Sequence, residues 1–425
     1  MQNLDRRGFV LAMLAMPLTG MADSLPAENT PGKTGEKLSP WQPGNLDIHH
    51  IATGRGDATF IMMPDGTSLL MDAGASSDPL DVSVATRPSD ERRAGEWIGR
   101  YVLRHLQAAG RSGLDYFLLT HFHPDHVGDV TADSPDSKLG PYKLTGVMDV
   151  AEIVPIDTVI DRGFPAYDYP TVWTAPFATN YFAFVKSRVS KGQRVERFIA
   201  GSGSQIRPRG YRPTAAKVDV RNLVVNGEVW TGTGEQARKM FPPLATLARK
   251  DYPNENVLSA GIRLRSGDFS YFAAGDLTSY TYDSALPWMD MVTAAASACG
   301  PVDVAVAPHH GFFDSLSADA VRMLRPQAWM IDTWHVSQPD LQQLLRMLSD
   351  RLYPGRHDVF ATTVMDQNLR ANPWATRQMR STDGHIVIRV APGGGNFNIV
   401  VTDNTNEEDR IKFMAAPYAS SKKTG

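Results

Sequence analysis

The stretch His121-Phe122-His123-Pro124-Asp125-His126 decides how this chain is read. It follows the apolar run Tyr116-Phe117-Leu118-Leu119, so a strand delivers three imidazoles and a carboxylate at its C-terminal end. His121 and His123 lie two residues apart and point the same way from an extended segment. Asp125 and His126 sit where a turn feeds a helix and comes round toward the same point. Neutral imidazole plus carboxylate suits zinc, with manganese or iron as alternatives. The competing reading is a polar loop that happens to be rich in His and Asp.

Around the hexad the pattern is that of two β-rich halves. Upstream, 46–51, 58–63 and 68–72 read as strands separated by the Gly54/Gly56 and Pro64-Asp65-Gly66 turns. Residues 90–109 read as an amphipathic helix with Ile98, Val102 and Leu106 on one face, and His105 on it reads as exposed or capping. Downstream, 257–265 and 269–274 form a hairpin turning at Ser266-Gly267-Asp268. Residues 293–299 read as a short helix and 339–352 as a longer one. Strands are expected over 302–307, 328–332, 359–363, 386–390 and 397–401. This order suits a four-layer αββα sandwich of the α+β class.

The hexad resembles the second motif of the metallo-β-lactamase superfamily, and other motifs follow in order. Ser68-Leu69-Leu70-Met71-Asp72-Ala73-Gly74 looks like the first, Ala273-Ala274-Gly275-Asp276 the fourth, and Val304-Ala305-Val306-Ala307-Pro308-His309-His310-Gly311 the fifth. Within the superfamily the chain is most similar to the ComEC-type branch of DNA-internalisation proteins and secreted phosphodiesterases. Gly54-Arg55-Gly56-Asp57-Ala58, Asn254-Glu255-Asn256, the double His309-His310, and Ala361-Thr362-Thr363 with Asp383-Gly384-His385-Ile386 carry that similarity. It covers roughly 45–130 and 253–400. The resemblance implies the metallo-β-lactamase fold over 46–404, with 127–252 as a large basic insertion. It also implies one or two Zn2+ ions held by His121, His123, Asp125, His126, Asp276 and one of His309 and His310, with Asp276 bridging and Asp72 and Asp57 supporting.

One departure stands out. The superfamily usually has a third-motif His between the hexad and the bridging Asp, and no His occurs from Val127 to Pro308. The first ion is then left with His121, His123 and Asp276, an open but still competent Lewis-acid site. Two such ions activate water for attack on phosphorus or a carbonyl without a side-chain nucleophile. Asp125, whichever of His309 and His310 is not a ligand, and His335 are the candidates for proton transfer. His49 and His50 read as structural, and Trp288, Trp334 and Trp374 as packing residues.

The chain has 425 residues, 42% of them apolar, and a net charge of −3, enough for a substantial core. Its single Cys299 excludes an intrachain disulfide and makes a thiolate metal site a poor expectation. At the N-terminus, Asp5-Arg6-Arg7-Gly8-Phe9-Val10-Leu11 resembles a twin-arginine signal. A short apolar run follows, with a small-x-small site at Gly20-Met21-Ala22. Residues 1–22 are therefore expected to direct export through the twin-arginine machinery to the periplasm or beyond. Residues 23–45 are expected to form a flexible leader and 405–425 a C-terminal tail, with no stable membrane anchor. From Ala183 to Lys250 the net charge is +10, leaving −13 for the rest. Arg207, Arg209 and Arg212 concentrate that charge around Tyr211, and they read either as a solvated face or as a wall for an anionic, nucleic-acid-like substrate. Three functions follow. Phosphoester or phosphodiester hydrolysis leads, hydrolysis of a lactam or lactone is second, and a non-catalytic binding or sensory role is third.

Overall fold

Along the strand that leads into the hexad, successive side chains go to different layers. Tyr116 and Leu118 enter a core between two sheets, while Phe117 and Leu119 enter a core under helices. A period of two with both faces apolar is what a strand buried on both sides requires. The computed structural model describes residues 31–214 and 217–421.

The first sheet contains β1 (Leu46–His50), β2 (Thr59–Met62), β3 (Ser68–Met71), β4 (Leu114–Leu119), β5 (Ile156–Asp161) and β6 (Arg194–Arg197). The second contains β7 (Val218–Val225), β8 (Glu228–Trp230), β9 (Ala237–Lys239), β10 (Gly261–Ser266), β11 (Phe269–Ala273), β12 (Val304–Val306), β13 (Ala328–Ile331) and β14 (Asp358–Ala361). The chain then returns to the first sheet with β15 (His385–Val390), β16 (Asn396–Thr402), β17 (Ile411–Met414) and β18 (Tyr418–Ala419). The sheet orders are β17-β16-β15-β1-β2-β3-β4-β5-β6, with β18 also on β16, and β14-β13-β12-β11-β10-β7-β8-β9.

Helices α1 (Ala94–Ala108), α2 (Pro124–Val127), α3 (Gly146–Ile153) and α4 (Pro176–Ser190) lie on the outer side of the first sheet. Helices α5 (Met291–Cys299), α6 (Ala318–Leu324), α7 (Leu341–Met347), α8 (Asp366–Ala371) and α9 (Pro373–Thr376) lie on that of the second. The architecture is thus the four-layer αββα sandwich that the resemblance implies. Ile98, Val102 and Leu106 of α1 are fully buried on one face. Among the described residues no helix is long and apolar enough to cross a membrane.

Four expectations change. Residues 127–252 are not an appendage: β5 and β6 extend the first sheet, β7, β8 and β9 extend the second, and α3 and α4 cover the first. Without them both sheets would end in exposed edges beside the hexad. Of the expected leader, 31–45 are packed. Leu38 and Trp41 are buried, Leu38 N donates to Asp409 O, and Arg389 reaches Ser39. Of the expected tail, 411–414 and 418–419 are strands paired to β16. His105 is largely enclosed rather than exposed, 4.6 Å from the His49 ring and 4.5 Å from that of Tyr101. The expected signal, 1–22, lies outside the described residues.

Candidate metal centre

β3 and β4 are parallel neighbours, so Asp72 and the hexad leave the same edge of the sheet side by side. Asp72 takes a left-handed φ of 58° and is held by Thr120, whose backbone N–H and hydroxyl donate to its two oxygens at 2.8 and 2.7 Å. Its Oδ2 also accepts from His126 Nδ1 at 2.8 Å, which fixes that ring and leaves Nε2 outward. The glycines of two motifs now have a physical reason. A Cβ on Gly56 or Gly74 would lie 2.1 or 2.0 Å from the Asp125 carbonyl oxygen, so both loops close on the backbone of the hexad only as glycine. Asp57 N–H donates to that same oxygen at 2.8 Å.

The candidate donors converge in two groups that share Asp276. In the first, His121 Nε2 lies 3.1 Å from His123 Nδ1 and 3.7 Å from Asp276 Oδ2. In the second, His310 Nε2 lies 3.0 Å from Asp125 Oδ2 and 3.5 Å from Asp276 Oδ2. His126 Nε2 lies 3.1 Å from Asp276 Oδ1 and 3.8 Å from Asp125 Oδ2. Donors about 2.1 Å from a common ion are themselves roughly 3–3.5 Å apart, so these spacings suit a cation in each group. His126 Nε2 and Asp276 Oδ1 are buried without a hydrogen-bond partner, which marks them as atoms kept for something else.

The local field agrees. Burial opposes charge on the His126 and His310 rings, yet the carboxylates of Asp276 and Asp125 hold both well above the usual histidine range. Burial likewise opposes charge on Asp276, yet the surrounding imidazoles keep its carboxyl well below the usual range. Burial, with Asp332 nearby, pushes Asp57 well up. A centre this rich in buried carboxylate favours positive charge.

The structure separates the two adjacent histidines. His310 is a donor of the second group, and its Nδ1 donates to the Asp332 carbonyl at 2.7 Å. Asp332 in turn is bound by the buried His50 Nδ1 at 2.9 Å, a supporting role. His309 belongs to neither donor group. Its Nδ1 lies 2.5 Å from Asp314 Oδ1, and its Nε2 is 3.9 Å from Asp276 Oδ2. His335 is set apart beyond Trp334, its Nδ1 2.7 Å from the Ser337 hydroxyl.

Arg207, Arg209 and Arg212 are not brought to the centre. Arg209 stacks on Tyr116 and pairs with Asp157, Gly210 N–H donates to Asp65, and Tyr211 O–H donates to Asp115. Those partners lie at the starts of the parallel strands β3, β4 and β5, whereas the donors lie at their ends. β4 has six residues, about 20 Å of strand. The metal-side edge instead carries Arg197, the last residue of β6. With Lys239, Tyr169, Asn226 and Phe241 it lines a cleft of about 360 Å³.

Several residues of the site escaped sequence reasoning. Glu255 accepts from Phe122 N–H at 2.8 Å, from Arg162, and from Trp173 Nε1 at 2.9 Å, so it braces the hexad between its first two histidines. Its place in Asn254-Glu255-Asn256 was the available signal. Trp173 stands 6.1 Å from the His123 ring. On the His309 side, Tyr280, Tyr282 and Phe313 are exposed, with the Tyr280 ring against both of the others and Phe313 next to Phe312.

No family model and no curated protein matches the chain. Among solved structures it is similar to a Parabacteroides distasonis protein whose name proposes a metal-dependent hydrolase. That alignment has 14% identity over 75% of this chain and 94% of the other, with a TM-score of 0.35. It is also similar to a mutant of CmlA β-hydroxylase, at 13% identity over 83% of this chain and 54% of that one, with a TM-score of 0.37. A third is a diphosphatase of the PhnP family, at 10% identity over 82% and 98%, with a TM-score of 0.32. The functional reading rests on the donors themselves.

Proposed function

We propose that this protein is a metal-dependent hydrolase that cleaves phosphoester or phosphodiester bonds. The observation that carries the reading is the pair of donor groups joined by Asp276, with buried His126 Nε2 and Asp276 Oδ1 facing each other without a hydrogen bond. Bound divalent cations, Zn2+ by donor type with Mn2+ or iron as alternatives, supply the Lewis acidity that activates water and meets charge developing on the substrate. The chain's own residues do the rest. Asp72 and Asp332 fix the orientation of His126 and His310. Asp276 sets the separation of the two groups. His309, oriented by Asp314, stands at the edge of the centre without belonging to either donor group, and we assign it to positioning the substrate there. Arg197 and Lys239, on the metal-side edge, support an anionic substrate in place of the arginine trio.

A second reading, hydrolysis of a lactone or lactam, is favoured by one observation, the exposed rings of Tyr280, Tyr282 and Phe313 beside His309. A hydrolysis panel on metal-analysed protein separates the two: a bis-aryl phosphate, single-stranded DNA, a cephalosporin and a lactone. Turnover confined to the phosphates supports the first reading, and turnover confined to the cyclic substrates replaces it.

We also propose that the chain is exported folded, on the strength of Arg6-Arg7 and the apolar run after it. Replacing both arginines with lysine is expected to leave the precursor in the cytoplasm in a fractionation assay. Normal accumulation outside it would set the motif aside.

A further inference from the structure

The first donor group has three members, His121, His123 and Asp276, where the second has four. Contacts on two sides bring Asn256 toward this group; it is the first residue of a 3-10 turn that ends at Leu258. Glu255, just before it, is locked to the backbone of Phe122 between the two histidines. Four residues on, Ala260 N–H donates to Thr120 O, so 255–260 runs along the segment that leads into the hexad. On its other side the Asn256 amide nitrogen is 3.1 Å from His309 Nε2. Asn256 is therefore held between His309 and the turn that carries His121 and His123.

The contact with His309 sets how the amide stands: Asn256 Nδ2 faces His309 Nε2, and Oδ1 is on the other branch. That Oδ1 is buried and has no hydrogen-bond partner. A buried carbonyl oxygen without a donor is costly unless something positive meets it. The same contact engages His309 Nε2, which belongs to neither donor group that shares Asp276, so His309 is not the missing donor.

We propose that Asn256 Oδ1 is a ligand of the cation held by His121, His123 and Asp276, taking the place of the third histidine this chain lacks. The inference rests on the two-cation reading. It makes both donor sets four-membered, each with two imidazole nitrogens and two oxygens, and it gives the Asn254-Glu255-Asn256 segment two distinct tasks. Glu255 braces the hexad and Asn256 coordinates. An amide oxygen is neutral and a weaker donor than imidazole for zinc, so this ion is the more weakly held of the two.

The test is cation binding by the full chain, read independently of turnover. Apo protein is titrated calorimetrically with Zn2+ and with Mn2+, metal content is measured after dialysis, and the visible spectrum of the Co2+-loaded protein is recorded. Wild type is expected to take two ions with separable affinities. Asn256→Ala is expected to weaken the weaker one at least about tenfold and to change the cobalt spectrum, while the tighter ion stays unchanged. Asn256→Asp, which keeps an oxygen at that position, should restore both readouts. Asn256→Ser serves in place of the alanine variant if the latter does not fold by circular dichroism. Two ions bound by Asn256→Ala with unchanged affinities and spectrum would overturn the ligand assignment and leave the two-cation reading standing. Loss of the weaker ion in His309→Ala but not in Asn256→Ala would transfer the role to His309. A wild type that takes up no ion would end both readings together.

Discussion

The two ends of the first sheet are built from similar residue types and do opposite things. At the end where β3 and β4 finish, Asp72, His126, Asp276 and His310 are buried, and polar atoms are left unpaired. At the end where the same strands begin, Asp65, Asp115 and Asp157 are each met by a specific donor from the 209–211 segment. Charge that is satisfied internally is structure, and charge gathered with donors left over is chemistry. The difference is not plain in composition, because both ends use Asp, Arg and Tyr. It follows from which end of a parallel strand a residue occupies, and open α/β-type sheets place their chemistry at the carboxyl ends.

The comparison breaks first at Asp276. Asp276→Ala removes the one side chain shared by both donor groups, so metal content should fall toward background and hydrolysis by about 10³-fold or more. A variant that keeps both ions by elemental analysis would refute the bridging role. His310→Ala should lose one ion, and His309→Ala none. The latter is expected to lower turnover about 10²-fold at unchanged metal content, the signature of a group that serves the substrate rather than the ions. Equal metal loss in both variants would erase the distinction between the two histidines.

A smaller effect is expected at Arg197 and Lys239. Replacing both with Gln should raise KM for a phosphodiester about tenfold, flatten its salt dependence and change turnover less than about twofold, because these cations serve capture. An unchanged KM together with an unchanged salt slope would remove the cleft from the substrate path. It would also strengthen the reading built on Tyr280, Tyr282 and Phe313.

Much of this contrast was legible in the sequence, and the reason is local. His121, His123, Asp125 and His126 reach one point through two periodicities that a sequence displays, the strand's period of two and the first turn of a helix. Asp276, just after Gly275 at a strand end, was legible, and so was the His309-His310 pair before Gly311, though not which of the two joins the donors. What the sequence did not reveal depends on long-range pairing. Glu255 reaches Phe122 across 133 residues, and His50 reaches Asp332 across 282. Residues 127–252 looked like an insertion because they matched no motif. Yet β5 and β7 show the same apolar burial as the strands around them, and only sheet order reveals that they complete the sandwich. The arginine trio misled for the complementary reason. A charge cluster announces a surface but not which end of a strand it caps.

That cluster gives the smallest expected effect and the cleanest control. Replacing Arg207, Arg209 and Arg212 with Gln removes the Arg209 stack on Tyr116, 4.5 Å from guanidinium to ring centroid, and the Arg209–Asp157 pair at 2.9 Å. Arg209 is one-quarter exposed and Asp157 more than half, so solvent screens the pair and the loss should be about 1 kcal/mol. The melting temperature should then fall by roughly 1–2 °C. Tyr211 should still hold Asp115, because its hydroxyl contact and its stack with Arg111 are untouched. Metal content, KM and the salt dependence of KM should all match wild type, since the substituted groups stand a full strand length from the donors. A raised KM in this variant, with folding intact, would mean that substrate wraps from the metal edge round to the opposite edge, and the two ends of the sheet would then form one binding surface.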